Sequence, residues 1–489
     1  MKKISALVKN YFYTPGGNLG AKEYFNYGLC GLGQNLIYGL MSSYLMFFYT
    51  DVFVIPTATV GTMFLITKIW DAINDPIMGI FVDKTRTKYG KMRPYFLFIP
   101  IPIAISTILL FTTPDLSDTG KVVYMYITYI LWGMLYTVGD VPFWSMSSVL
   151  TTNQRERTNL VSFTRFMTGV GMGVPTVLIS LFSILQKKNV LSSVIGTNEK
   201  MYLFVAVLMS VFGAVFLSRG FFGTKEVVAQ SEEKTTFKKS MLALFKNKPL
   251  LMILLSNILQ FPRLIQTGAL IYVANYIFGG NEWVLILGIP GSITGFLGFL
   301  LVPPLVKKFG TIKSFILVNA FWTIPTGLLF LIRPENVKQP VNLAIIFVLL
   351  FVSAFAASII GILPTLLIAE CVDFAEWKTG VRNEGIYFST QTFMAKAQSA
   401  LQSYSIGLLL VAFSFIQPKA DAAGVMVQQV QSASTINGIW AMYTIIPAVS
   451  YILCIIPLFF YEIKGKTAQK MQDELKERRE SAISVQENV

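Results

Sequence analysis

The chain has 489 residues, of which 54% are hydrophobic, with a mean hydropathy of +0.59 and a formal net charge of +14. A soluble domain of this length lacks the polar surface to cover such an apolar fraction, so the composition excludes an ordinary soluble protein and places the chain in the lipid bilayer. Most of the positive charge falls in short segments between apolar stretches, which argues against nucleic acid as a partner.

Twelve apolar stretches are long enough to cross a membrane as helices, which need about 20 residues each. They lie at 25–49, 58–81, 95–112, 122–149, 160–185, 201–218, 250–278, 283–306, 314–332, 341–369, 385–416 and 436–461. The sequence therefore predicts an all-α membrane protein with 12 transmembrane helices and both termini on the same side. The first stretch has no small-residue cleavage site, so we interpret it as a helix that is retained.

The distribution of Lys and Arg assigns that side. Most of the 40 Lys and Arg residues fall in the terminal segments and in the loops on the same side, above all 82–94 and 219–249. Cytoplasmic loops carry such an excess. We therefore predict cytoplasmic N- and C-termini and a multi-pass protein of the plasma (inner) membrane.

A long charged segment at 219–249 divides the twelve stretches into six and six. The predicted organisation is a cytoplasmic N-terminus (1–24), an N-terminal six-helix half (25–218), a central cytoplasmic loop (219–249), a C-terminal six-helix half (250–461) and a cytoplasmic tail (462–489). "GIFVDKTRTKYGKMRP" follows the second stretch and the similar "GFLLVPPLVKKFGTIK" follows the eighth. Such a repeat is typical of transporters whose binding site lies at mid-membrane between two halves.

The second stretch contains KIWDAINDPIMG, with two carboxylates in an apolar run. An ionisable side chain at the bilayer centre costs about 2.5 to 3.5 kcal/mol. Asp71, Asn74 and Asp75 share one helix face, and Thr137 of the fourth stretch can face them. Clustered hard oxygens suit a small cation such as Na⁺.

Two other interpretations of the same face remain open. Lys68 lies one turn away and could form a structural ion pair with Asp71 or Asp75. Alternatively the two carboxylates could carry a proton, because neighbouring acids cannot both ionise cheaply and the chain has no histidine.

A second polar face belongs to the fourth stretch, where Tyr136, Asp140 and Trp144 lie one turn apart. Hydroxyl-binding groups and aromatic rings suit a sugar, and Asn35 in the first stretch adds an amide. The remaining intramembrane cations, Arg165, Arg263 and Lys396, are predicted to contribute to the same sugar site. The alternative for the charged residues is mutual charge compensation between helices, and for the aromatic ones simple packing.

Enzymatic chemistry has no support in the sequence. The three cysteines, Cys30, Cys371 and Cys454, are far apart in the chain, and no nucleophile and base form a recognisable constellation. We therefore predict no enzyme activity and no cofactor other than a coupling ion.

Four motifs together resemble one known family. They are "WDAINDP" (70–76), "YILWGMLYTVGDVPFW" (129–144), "VSFTRF" (161–166) and "DFAEWKTGVRNEG" (373–385). They are similar to the glycoside–pentoside–hexuronide:cation symporters of the major facilitator superfamily, over roughly residues 25 to 465. The resemblance implies the major facilitator fold and sugar uptake driven by Na⁺, Li⁺ or H⁺.

The resemblance also implies roles for individual positions. Matching the family's motifs, Asp71, Asn74, Asp75 and Thr137 would form the cation site. The positions that would form or border the sugar site are Tyr136, Asp140, Trp144, Arg165 and Lys396. The first stretch departs from the family's melibiose permeases, which carry a Lys–Asp pair where this chain has Gln34 and Asn35. That difference suits an anionic glycoside such as a hexuronide, although neutral glycosides fit as well.

The function expected from these observations is Na⁺-coupled symport of a glycoside or oligosaccharide into the cell by alternating access, by a protein acting as a monomer. The expected partners are a small glycoside, a coupling cation and the lipid bilayer. Alternatives are proton-coupled sugar symport, cation-coupled transport of an amphiphile such as a lysolipid, and a membrane sensor that binds sugar without moving it.

Overall fold

The computed structural model describes residues 19–85, 87–151, 154–190, 192–226, 247–379, 384–420, 426–465, 467–475 and 477. Helices account for nearly all of these residues. The strands present in this part of the chain form one short antiparallel hairpin, in which β1 (Lys419–Ala420) pairs with β2 (Met426–Val427).

The described helices up to residue 226 include one or more helices in each of the first six apolar stretches. They are α1 (Ala21–Phe47), α2 (Thr57–Lys84), α3 (Tyr95–Phe98), α4 (Pro100–Leu110), α5 (Asp118–Val149), α6 (Gln154–Lys187), α7 (Ser192–Ile195), α8 (Asn198–Leu217) and α9 (Arg219–Phe222). Phe48–Val52 extends α1 as a π-helix. Polar caps fix two of the starts, because Ser117 accepts the N–H of Gly120 before α5 and Thr197 accepts that of Lys200 before α8.

The described helices from residue 247 onward coincide with the other six stretches. They are α10 (Lys248–Leu259), α11 (Pro262–Tyr272), α12 (Glu282–Phe309), α13 (Thr311–Phe330), α14 (Pro340–Ile360), α15 (Leu363–Thr379), α16 (Glu384–Ala412), α17 (Ala433–Tyr443) and α18 (Ile445–Leu453). A π-helix, Val273–Phe278, follows α11. Short 3₁₀ segments lie at Pro334–Asn336 and Ile456–Phe460.

Seven segments of the described chain are long and apolar enough to cross a membrane. They are Asp118–Ser147, Asn159–Lys187, Asn198–Phe222, Lys248–Phe278, Thr311–Phe330, Pro340–Lys378 and Ala433–Phe460. The helices α1, α2 and α16 carry more polar residues and fall outside this set. The helix count of twelve and the cytoplasmic termini therefore stay predictions, whereas the all-helical architecture is confirmed.

The described residues form two compact units. The first lies within Met1–Glu232, Gly279–Leu285 and Ser414–Gln431, and the second within Glu233–Phe278, Ile286–Phe413 and Ser432–Val489. The predicted central loop, 219–249, is described only at its two ends, and so are parts of the predicted N-terminus and tail. The predicted boundaries of these segments are therefore not tested.

Glycines bring the helices of the first unit close together. A Cβ on Gly33 of α1 would lie 2.6 Å from the carbonyl oxygen of Gly213 in α8, and a Cβ on Gly39 would lie 2.9 Å from the backbone of Met172 in α6. Small residues allow such close approach between helices in a membrane. The first helix is therefore held against both α6 and α8, which fixes the direction of its polar side chains.

Two segments from later in the chain also belong to the first unit. The Lys187 ammonium at the end of α6 pairs with the Glu282 carboxylate. Gln417 donates hydrogen bonds to the carbonyls of Thr50, at 2.9 Å, and Ile55, at 2.7 Å. These contacts satisfy carbonyls freed where the π-helix after α1 ends.

The second unit has an apolar core built from α10, α13, α15 and α18. Phe315 and Trp322 of α13 pack there with Leu367 of α15 and Tyr451 of α18. Large apolar side chains such as Phe98 in the first unit and Val348 in the second are exposed, at 70% and 61%. Apolar surface of this kind is typical of helices that face lipid.

Candidate functional site

Asp140 in α5 lies at the centre of a hydrogen-bonded cluster in the first unit. The amide nitrogen of Gln34 in α1 donates to Asp140 Oδ1 at 2.5 Å and to the Tyr136 hydroxyl at 3.3 Å. The indole N–H of Trp144 donates to the same Oδ1 at 3.1 Å. Because Tyr136, Asp140 and Trp144 follow one another at single-turn intervals, the regular helix places all three on one face. The face predicted for these residues is thus observed.

Aromatic rings surround this cluster. Tyr136 stacks on Tyr38, with ring centroids 5.2 Å apart, and on Trp132, at 5.0 Å. The Arg165 guanidinium lies over the Trp144 ring, 4.3 Å from its centroid. Tyr136 and Trp144 are both half-buried. Each ring therefore has protein contacts and keeps some exposed surface.

Asn35 contributes less directly. Its side-chain nitrogen donates to the carbonyl of Gly31 in its own helix at 2.9 Å. Its Cβ lies where a Cβ on Gly171 of α6 would approach within 3.0 Å. Gln34, next to it in the chain, makes the contacts to Asp140 instead. In the sequence, Gln34 could have been recognised as an amide in an apolar stretch, one turn before Tyr38.

The residues predicted to bind a cation lie on α2 and α5. Asp71 Oδ1 approaches α5 so closely that a Cβ on Gly133 would lie 3.1 Å from it. Thr137 is buried one turn after Gly133 on α5. Asn74 is buried one turn after Asp71, and among the described residues its amide nitrogen has no hydrogen-bond partner.

The ion pair considered as an alternative is present. Lys68 Nζ lies 3.2 Å from Asp71 Oδ2, and both side chains are largely buried. The ammonium neutralises Asp71, so a cation that binds this carboxylate competes with Lys68. The side chain of Asp75 lies outside the described residues, so its predicted role stays a prediction.

Arg263 and Lys396 belong to the second unit, on α11 and α16, where both are half-buried. Their predicted role in sugar binding stays a prediction. Within the first unit, the predicted cation group and the Asp140 cluster both include residues of α5, namely Thr137 and Asp140.

The sequence profile of the MFS/sugar transport protein family matches residues 26–465. The chain belongs to this family. It is the family of the glycoside–pentoside–hexuronide symporters, so the resemblance found in the motifs is confirmed. Like the other members of this family, the protein is a membrane-embedded transporter and not an enzyme.

Three relatives in the MFS/sugar transport family show how far the similarity extends. The isoprimeverose transporter of Lactiplantibacillus pentosus is 32% identical, covering 94% of this chain and 93% of its own. The inner membrane symporter YicJ of Escherichia coli (strain K12) is 30% identical, covering 94% and 95%. The putative glycoside/cation symporter YagG of the same organism is 28% identical, also covering 94% and 95%.

Solved structures confirm the fold of this family member. A crystal structure of a single-residue mutant of the nucleoside transporter NupG superposes with a TM-score of 0.63 at 12% identity, covering 90% of this chain and 99% of that one. The D-xylose–proton symporter gives a TM-score of 0.58 at 14% identity, covering 91% and 98%. At these identities the likeness concerns the fold alone.

Proposed function

We propose that this protein is a secondary active transporter that couples entry of Na⁺ to uptake of a glycoside. The observation that carries the proposal is that one helix, α5, holds residues of both groups. Thr137, of the cation group, directly follows Tyr136, and Asp140 lies less than one turn further on. A cation that orders this part of α5 changes the geometry of the Asp140 cluster, so that the two ligands bind cooperatively.

The chemistry of each group fits its ligand. Asp71, Asn74 and Thr137 supply carboxylate, amide and hydroxyl oxygens, which are the ligands that small hard cations prefer. Asp140 accepts hydrogen bonds from sugar hydroxyls, and the Trp144 ring can cover the apolar face of a pyranose. Relatives named as an isoprimeverose transporter and as a putative glycoside/cation symporter support a sugar as the solute.

Cooperative binding is converted into transport by alternating access in transporters with this fold. Cation binding at Asp71 would draw the carboxylate away from Lys68, and the loaded protein would then release both ligands on the inner side. Asp75, one turn after Asp71 on α2, is proposed as a further ligand on its sequence position alone.

Proton coupling is the second candidate, and the Lys68–Asp71 ion pair favours it. Protonation of Asp71 would release Lys68 without any need for oxygen ligands around a metal ion. The two candidates therefore differ in whether the Thr137 hydroxyl matters.

Replacing Thr137 by Val tests the sodium site, because the two side chains have nearly the same shape and only the hydroxyl oxygen is lost. We expect the Na⁺ concentration for half-maximal stimulation of glycoside binding to rise at least tenfold, measured by titration calorimetry of the purified protein. Thr128→Val is the matched control on the same helix, since the Thr128 hydroxyl donates to the carbonyls of Tyr124 and Met125 in its own helix. Equal Na⁺ dependence in the two variants would refute the sodium site.

A further inference from the structure

The second unit contains a candidate membrane span, Lys248–Phe278, whose helix is interrupted. The seventh predicted stretch forms two helices, α10 and α11, joined at Gln260 and Phe261. Pro262 begins α11 and has no N–H with which to continue α10. The twelfth stretch is likewise divided at Thr444, between α17 and α18. Irregular backbone within a membrane span is tolerated where it is buried in protein or lines a polar cavity.

The two interrupted helices contact one another in the second unit. Gln266 of α11 donates to the carbonyl of Tyr443, the last residue of α17, at 3.0 Å. Ser256 of α10 donates to the carbonyl of Cys454, just after α18, at 2.6 Å. Side chains of the first broken helix thus satisfy carbonyls of the second.

Buried polar side chains collect around this region. Gln260 donates to Asn319 of α13 at 2.5 Å, and both residues are fully buried. Trp322 of α13 stacks on Tyr451 of α18 with ring centroids 4.2 Å apart. Four buried atoms here have no hydrogen-bond partner in the described chain: Gln260 Oε1, Arg263 Nε, Trp322 Nε1 and Tyr451 Oη. Three of these four can donate a hydrogen bond.

Arg263 adds a full positive charge to this cluster. Among the described residues no carboxylate pairs with it, and the ionisable groups that interact with it electrostatically are the phenol of Tyr451 and the thiol of Cys454. A charged side chain inside a membrane is costly unless it is paired or serves a ligand.

The surrounding backbone does not neutralise this charge. Arg263 lies in the first turn of α11, where the helix dipole is itself positive. The C-terminal end of α10 supplies only about half an elementary charge of the opposite sign. The N–H groups of Arg263 and Leu264 already donate to the carbonyls of Gln260 and Phe261. Any anion bound here would therefore be held by side chains.

We propose that Arg263 is the centre of an anion site that binds a carboxylate or sulfonate group carried by the transported solute. The planar guanidinium binds such groups with two parallel hydrogen bonds, and the Tyr451 hydroxyl is a neighbouring donor. The site thus selects sugar acids over neutral sugars. The inference rests on the proposed glycoside transport, which it narrows to anionic glycosides.

The test compares ligands that differ only in charge. Methyl glycosides of neutral sugars, and methyl glycosides of the corresponding uronic acids with free carboxylates, are titrated into the purified full chain in Na⁺. The native protein is expected to bind at least one uronate ten or more times more tightly than its neutral partner. In Arg263→Gln that ratio should fall to within twofold of one, while the affinity for the neutral glycoside changes less than threefold.

Three further variants keep the test decisive. Arg333→Gln removes the same charge from an exposed position of the second unit and should keep the native ratio. Arg263→Lys keeps the charge but loses the paired hydrogen bonds, so the ratio should fall several-fold without disappearing. Tyr451→Phe keeps the ring and should lower the ratio to a smaller extent. A native protein without preference, or a full preference in both Arg263 variants, overturns the proposal.

Inorganic sulfate distinguishes the source of the anion. If sulfate alone stabilises the native protein against heat through Arg263, and no uronate competes with it, the assignment to the solute is wrong. Failure of the proposed transport function has a different signature. In that case no cation gradient drives accumulation of any glycoside, yet binding of a uronate still depends on Arg263.

Discussion

The hydrogen bonds of Asp140 converge on a single carboxylate oxygen, Oδ1. Gln34 and Trp144 both donate to it, from α1 and from the next turn of α5. Charged hydrogen bonds of this kind contribute about 1.5 to 3 kcal/mol each. Gln34 therefore fixes the orientation in which Asp140 meets a ligand, although it need not contact the sugar itself.

Gln34→Leu tests this positioning role. Leucine has a similar volume but cannot donate, so the carboxylate loses one partner while the packing of α1 is retained. We expect glycoside affinity to fall about tenfold, which corresponds to about 1.4 kcal/mol, without a large change in the midpoint of thermal unfolding. The control is Gln186→Leu, at the far end of α6, where the amide donates to the Gly196 carbonyl. An unchanged affinity in Gln34→Leu would contradict the role.

Sequence patterns predicted which residues share one face of a helix, but not which residues of other helices they contact. Helical spacing placed Tyr136, Asp140 and Trp144 together, and the Lys68–Asp71 pair follows from a separation of three residues. The contact of Gln34 with Asp140 joins positions 106 residues apart, and it depends on how closely α1 approaches α5. Spacing within one helix carries no information on that distance.

The first helix is the element on which the site depends most. Gly33 and Gly39 approach α8 and α6, and Gln34 and Tyr38 face α5. A Cβ on Gly33 would lie 2.6 Å from the Gly213 carbonyl oxygen and 2.7 Å from the Leu217 nitrogen. Both are backbone atoms that cannot move aside without shifting α8.

Gly33→Ala is therefore expected to destabilise the protein by about 1 to 3 kcal/mol, the usual cost of overpacking, and to lower the thermal unfolding midpoint. Gly173→Ala in α6 is the matched control, because a Cβ there would meet no other atom within 4 Å. Alanine also favours the helix more than glycine does. Equal stability of the two variants would show that α1 is not held by this contact.

Element boundaries were predictable where polar caps or charged loops end a helix, as at Ser117 and Thr197. The interruptions inside the seventh and twelfth stretches were not. Pro262 marks the first one, but the proline at 142 lies within the continuous helix α5, so proline alone does not locate a break. Neighbouring side chains such as Gln266 must satisfy the freed carbonyls, and that requires the tertiary structure.

At the scale of the whole molecule, composition predicted a membrane protein, and the family and the helical architecture confirm a multi-pass transporter. Helices with polar faces, such as α2, are the ones that hydropathy identifies least well, because the residues that would bind ligands lower their mean hydropathy. Asp71 and Asn74 lie on α2, whereas Thr137 and Asp140 lie on α5, which is apolar enough to count as a membrane span.

The central claim is that a cation gradient drives glycoside accumulation. The most direct measurement is uptake of labelled neutral and anionic glycosides into proteoliposomes, with an inward Na⁺ gradient or an inward H⁺ gradient imposed separately. We predict that one glycoside accumulates above its external concentration with the Na⁺ gradient alone. Accumulation with the pH gradient alone would contradict Na⁺ coupling, and binding without accumulation under either gradient would contradict transport itself.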